Sequence, residues 1–165
     1  MTERPTGITT PIAEPPITGR EDLGDLSRPE QALAQFYRGL NGRDLAVLAE
    51  NWEPSNDAVM DNPLGGISRG WPAIRSLYER LFASDSRLFV EFHDYTIHRS
   101  DSIFYAVGRE RGRFERGSVG LDLAIRTTRI FRGVAGRWRQ VHHHGSIEDP
   151  ALLGAYRQAV SPAAR

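Results

Sequence analysis

The second half of this chain constrains its fold more tightly than any single motif. Leu88 to His98, Ser102 to Phe114, Ser118 to Phe131 and Trp138 to Ile147 all alternate apolar and polar residues. Alternation at period two marks a strand with one buried face, and these segments follow one another at hairpin spacing, the last across Gly133 and Gly136. They predict a long antiparallel meander. Ahead of it lie helical patterns. Pro29 suits the first turn of a helix carrying Ala32, Leu33, Phe36, Tyr37 and Leu40, ending at Asn41-Gly42. Leu45, Leu48, Ala49 and Trp52 form a second, shorter one stopped by Pro54. Ala58 to Asn62 reads as a short strand ended by Pro63 and Gly65-Gly66. Gly70-Trp71-Pro72 opens a third helix through Ile74, Leu77, Tyr78, Leu81 and Phe82. Three helices followed by a meander is an α+β pattern. The helices must cover one face of a curved sheet. The opposite face still carries apolar residues, which predicts a homo-oligomer, a dimer or larger.

The flanks differ from this centre. Residues 1–28 carry Pro5, Pro11, Pro15 and Pro16 with Gly7 and Gly19 and no helical period, so an extended or disordered arm is expected there, docked on a partner subunit. Residues 29–149 form the single domain, and Pro150 begins a short C-terminal helix and tail to residue 165.

Composition narrows the function classes. The chain has no cysteine, which excludes disulfides, thiolate zinc sites and a catalytic thiol. Its formal net charge is zero, which argues against nucleic acid held by a broad basic field. The first twenty residues lack the apolar core of a signal peptide, and no run reaches membrane-spanning length. A cytoplasmic, soluble protein with no membrane partner is the expectation. All 21 basic residues are arginine, a pattern that composition bias explains. An arginine turned into a cavity would still be informative, because it stays protonated and forms bidentate bonds to carboxylates.

The last strand holds the run Trp138-Arg139-Gln140-Val141-His142-His143-His144-Gly145-Ser146. Strict alternation would send Gln140, His142 and His144 to one face and Val141 and His143 to the other. A metal at His142 and His144 would need a third ligand, and only His93, His98 or a carboxylate remains to supply it. Paired histidines at subunit contacts more often serve as hydrogen-bonding groups, so no metal and no cofactor are expected. The mixed run Arg109 to Arg116 reads as a solvated hairpin tip beyond Arg109.

Three blocks of residues carry a family resemblance. They are Leu40-Asn41-Gly42-Arg43-Asp44-Leu45, then Asp61-Asn62-Pro63-Leu64-Gly65 followed by Arg69-Gly70 and the third helix, then Thr128-Arg129 with Trp138-x-x-Val141-His142-x-His144-x-Ser146. Together they resemble the nuclear-transport-factor-2-like (NTF2-like) superfamily. This includes SnoaL-like polyketide cyclases, ketosteroid isomerases and scytalone dehydratases. The nearest likeness is to the association (hub) domain of calcium/calmodulin-dependent protein kinase II and its bacterial relatives. The resemblance implies a cone: a strongly bent antiparallel or mixed sheet wrapped around three N-terminal helices, the cystatin-like roll. It also implies a pocket between sheet and helices, and dimers formed through the convex face, which hubs stack into rings.

The isomerase chemistry does not carry over. By resemblance Asn62 stands where that family keeps its catalytic aspartate, and an amide cannot abstract a proton. Phe36 stands in place of the oxyanion-stabilising tyrosine, with Tyr37 beside it, and Thr127 in place of a protonated aspartate. Hub domains hold small carboxylates with pocket arginines. The resemblance matches Arg129 and Arg109 to two of these, puts Gly145 at the third, and puts the hub's pocket glutamate at Asn62. A buried Arg129 needs a counter-charge, from Asp61, Glu110 or a bound anion. The expected ligand-binding residues are therefore Arg129, Arg109, Asn62, Trp52, Trp71, Tyr37 and Tyr78, with Asp61 and His143 as acid/base candidates; Trp138 is expected in a subunit contact. Two functions fit: a small-molecule protein with a pocket for an anionic or carboxylate ligand, including a cofactor-free lyase, isomerase or cyclase, and a non-catalytic, hub-like assembly module.

Overall fold

The computed structural model describes residues 14–161. Helices α1 (Pro29–Asn41) and α2 (Leu45–Asn51) come first, then the small hairpin β1 (Val59–Asp61) and β2 (Ile67–Arg69). Helix α3 (Trp71–Ala83) precedes the meander β3 (Arg87–Arg99), β4 (Ile103–Arg116), β5 (Val119–Val134) and β6 (Arg137–Ile147), and α4 (Pro150–Val160) closes the chain. All six strands form one sheet in the order β2-β1-β6-β5-β4-β3. Every pairing is antiparallel except β1 with β6, which is parallel. The meander thus forms as the alternation demands. Strand β2 was not foreseen, because Ile67-Ser68-Arg69 is too short to show a period.

Local chemistry sets the helix limits. Asp44 caps α2 by accepting from the amides of Ala46 and Val47, and Asp149 caps α4 by accepting from Ala151 and Leu152. Helix α1 lays Ala32, Leu33, Phe36, Tyr37 and Leu40 against the sheet, all of them buried. Opposite them, the inner face of the meander presents Phe104, Phe114, Leu123, Ile125 and Phe131. Phe104 and Phe131 stack at 4.5 Å, and Trp138 meets Phe104 edge-on at 5.1 Å. Each such ring contributes about 1.5–3 kcal/mol through burial.

The sheet bends sharply where strands approach closely. β3 carries a register shift between His93 and Thr96, with Asp94 at φ 48°. Gly112 lies so near β3 that a Cβ there would sit 1.9 Å from the carbonyl oxygen of Phe89. Only glycine fits at this closeness.

The described part of the arm packs on its own chain. Ile17 is buried and exchanges both backbone hydrogen bonds with Phe92 on edge strand β3, at 3.0 and 2.9 Å. Further on, the Trp138 amide donates to Leu26 O and its indole donates to Ser27 O at 2.7 Å. Trp138 is therefore core and strap anchor, not the subunit contact expected for it. The expectation for residues 1–13 lies outside the described residues. Among the described residues no helix is long and apolar enough to cross a membrane.

Candidate functional site

A cavity of about 360 Å³ opens between the inner face of the sheet, α1, α3 and α4. Most of its wall is apolar, including Leu40, Met60, Leu77, Leu123, Ile125 and Tyr156. Five polar residues interrupt that wall: Asn62, Arg80, Glu110, Arg129 and His143. Arg80 is exposed and marks the mouth.

Arg129 is the centre of the polar floor. Strand β5 turns Leu123, Ile125, Thr127, Arg129 and Phe131 inward by simple alternation, so a guanidinium enters a row of core residues. Its Nη2 donates to Glu110 Oε1 at 2.6 Å, its Nη1 to Gln140 Oε1 at 2.8 Å and its Nε to the Tyr37 hydroxyl at 3.2 Å. Tyr37 in turn donates to Glu110 Oε1 at 2.9 Å. The guanidinium carbon lies 3.6 Å above the centroid of Phe36, a cation–π contact. Burial alone would lower the pKa of Arg129, but Tyr37 and Glu110 reverse that and hold it above its ordinary value. The counter-charge that Arg129 needs is thus Glu110, supplied from within the chain.

His143 stands beside Arg129 on the next strand, the two being register partners. It is 6% exposed, and among the described residues neither ring nitrogen has a hydrogen-bond partner. Burial first, then Arg129 and the flanking His142 and His144, push its pKa well below the usual imidazole value. The ring is therefore neutral at physiological pH, with one donor and one acceptor to offer. Tyr78 lines the cavity from α3 and donates to Met60 Sδ at 3.6 Å, and burial pushes its phenol far above the ordinary range. Asn62 also lines it, but its side-chain oxygen accepts from the Leu64 amide at 2.8 Å and so builds the β1–β2 turn. Tyr37 sits one layer behind, holding Glu110 and Arg129 rather than lining the space.

Four of the expected residues lie elsewhere. Arg109 points to the outer face, where its Nε meets Asp94 Oδ2 at 3.0 Å and its Nη1 meets Glu148. The reason is parity: Phe104, Ala106, Glu110 and Phe114 share the inner face of β4, so Arg109 cannot. Asp61 also points outward, 3.2 Å from His144 Nδ1, because Met60 takes the inward position on the three-residue β1. Trp52 and Trp71 stack on each other at 6.5 Å away from the cavity wall. Glu110 follows the apolar even-numbered positions of β4 inward, and of the counter-charges open to Arg129 it is the one the fold supplies.

Gln140 shows where strict alternation breaks. Ile130 pairs with His142 and Phe131 with Gln140, which leaves Val141 as the extra residue of a β-bulge. Gln140 and His143 consequently both face inward, three residues apart, and Gln140 is not on the face of His142 and His144 as alternation implied. The short C-terminal helix, expected from Pro150, does more than close the chain: Tyr156 and Val160 form part of the cavity wall. Arg157 secures it by donating to Leu64 O at 2.9 Å.

Geometry and sequence now converge, since the family model for the SnoaL-like domain matches residues 30–150. The chain belongs to the SnoaL-like family. Among curated proteins none matches it. Solved structures share the fold of this SnoaL-like domain at low identity. One, from Thiobacillus denitrificans, is named for the calcium/calmodulin-dependent protein kinase type II association domain; it is 24% identical with a TM-score of 0.62, covering 76% of this chain and 98% of that one. A second, from Streptomyces avermitilis, is named for a dehydratase of the NTF2-like family; it is 16% identical with a TM-score of 0.64, over 70% and 90% of the two chains. A third, with a cystatin-like fold, comes from Caulobacter vibrioides; it is 18% identical with a TM-score of 0.58, over 74% and 89%. The SnoaL-like domain described here is accordingly an NTF2-like, cystatin-like α+β fold.

Proposed function

We propose that this SnoaL-like protein binds a small, uncharged and mainly apolar molecule in its cavity, held by a hydrogen bond to His143. The observation that carries this reading is the His143 imidazole, buried, neutral and without a partner at either nitrogen among the described residues. A buried polar group left without a hydrogen bond costs about 1–3 kcal/mol, which a ligand carbonyl or hydroxyl would relieve. The cavity size and its apolar wall with few polar groups suit such a molecule. Glu110 already neutralises Arg129 at 2.6 Å, so the floor carries no net charge and offers an anion no free cation; the other cation of the wall, Arg80, stands exposed at the mouth, where solvent screens it.

Binding fits these residues better than catalysis. Asp61 lies outside the cavity, and an imidazole with a depressed pKa is a poor general base. Glu110 is the carboxylate at the wall, and its Oε1 is already taken by Arg129 at 2.6 Å and the Tyr37 hydroxyl at 2.9 Å. Calorimetric titration with matched pairs of aromatic ketones or alcohols and their carboxylate analogues tests the reading. The neutral members should bind, and His143→Leu should weaken them. Tighter binding by the carboxylates would overturn it.

A second reading, assembly of copies, rests on the outer face of β4. Ile103, Tyr105 and Val107 stand there in a row and are 41%, 42% and 43% exposed. An apolar row on a sheet face is suited to burial against a second copy. Sedimentation of the whole protein tests it: a monomer at all concentrations would remove the support.

A further inference from the structure

We infer that Asp61, His142 and His144 form a binding site for a divalent transition-metal ion of the zinc class on the outer face of the sheet. The parallel pairing of β1 with β6 sets Val59 opposite His142 and Asp61 opposite His144. One ligand atom from each of Asp61, His142 and His144 lies within 4.8 Å of the others. Asp61 Oδ2 and His144 Nδ1 are 3.2 Å apart. Two ligands on a tetrahedral ion at about 2.0–2.1 Å from it would be separated by about 3.3 Å, so this pair needs almost no movement.

The second observation is orientation. His142 Nδ1 is 3.1 Å from the Val59 carbonyl oxygen, which makes it the donor and leaves the lone pair on Nε2. Fixing the non-ligating nitrogen of a histidine by a backbone carbonyl is how metal ligands are held in the correct tautomer. The backbone beneath is rigid, since β6 is bonded on both sides, to β1 and to β5. Two imidazoles and one carboxylate select zinc-like ions over calcium or magnesium, which favour all-oxygen shells. Three protein ligands leave a fourth position for water or another ligand. The site is independent of the cavity, because His143 between the two ligands faces the other way. It runs against the expectation of no metal: of the third ligands open to the histidine pair, the carboxylate of Asp61 on β1 is the one in place, not His93 or His98.

Zinc titration of the chelator-treated whole protein against a chromogenic competitor tests this. One ion per chain is expected. Asp61→Asn and His144→Gln should each weaken binding by at least the 10–100-fold that loss of an outer-shell partner costs. His93→Gln and His98→Gln should leave it unchanged. Absence of binding by the unaltered protein, or equal binding by the Asp61 and His144 variants, would overturn the site. Should those variants fail to fold by circular dichroism, Co(II) added to the unaltered protein decides. The visible bands of a low-coordinate ion with nitrogen ligands support the site, and the spectrum of the hydrated ion refutes it.

Discussion

Replacing Arg129 by Met tests the centre of the structure. Arg129 and Glu110 side chains are 1% and 5% exposed, so the variant strands a carboxylate in the interior without its cation. It also removes the donors to Gln140 and to the Tyr37 hydroxyl. Breaking a buried pair from one side costs about 3–5 kcal/mol. With about 2–4 °C lost per kcal/mol in a domain of this size, the melting temperature should fall by about 6–20 °C. Removing both charges is a different perturbation. In Arg129→Met with Glu110→Leu no charge is stranded, and the remaining cost is the lost partners of Tyr37 and Gln140, about 1–3 kcal/mol. The double variant should therefore be more stable than Arg129→Met, with a coupling energy of about 2 kcal/mol or more between the two sites. Urea denaturation of the four proteins at one pH measures it. Additive losses, with the double variant the least stable, would refute the account of Arg129 as a residue compensated from within. The single variant would then have lost packing alone, and Glu110 would not be its counter-charge.

Other expectations follow from named contacts. The folded-state pKa of His143 is depressed, so the unfolded chain binds the proton more readily; stability from this residue is present above about pH 6.5 and falls by up to about 1.4 kcal/mol per unit as pH drops below it. Unfolding free energies of the unaltered protein and His143→Gln from pH 8 to 5 should diverge by that slope, and parallel curves would contradict a buried neutral ring. Gly112→Ala places a methyl group 1.9 Å from Phe89 O, and the strands must separate, at a cost of about 1–3 kcal/mol by denaturation. Asp149→Ala removes the cap of α4 and should cost about 0.5–2 kcal/mol, with faster amide exchange confined to that helix.

How much of this was readable in the sequence depended on whether a local period held. The meander and α1 are long enough for their patterns to be unambiguous, and Arg129 sits in an inward row that alternation alone reveals. Arg109 departs from the register that the family resemblance implies, because β4 follows the parity of Phe104, Ala106 and Phe114. That parity puts Glu110 inside and Arg109 with Asp94. Asp61 departs from its expected place for a related reason: β1 is three residues long, too short for its facing to be legible without its partner strand. The stacking of Trp52 on Trp71 joins α2's end to the start of α3 and has no sequence period at all.

The bulge at Val141 explains why the histidine strand resisted a one-face reading. Had alternation continued from His143 back to Trp138, Gln140 would lie outward with His142, and Arg129 Nη1 would lose its acceptor. One extra residue lets Trp138 and Gln140 face inward together with His143 and Gly145. His142 and His144 still remain outside, opposite Val59 and Asp61. The inner set then stabilises a buried guanidinium and presents a neutral imidazole to the cavity. The outer set gathers two imidazoles and a carboxylate against solvent. A single strand can hold two such different environments because the inserted residue changes which side chains face inward on one side of it and leaves the other side untouched.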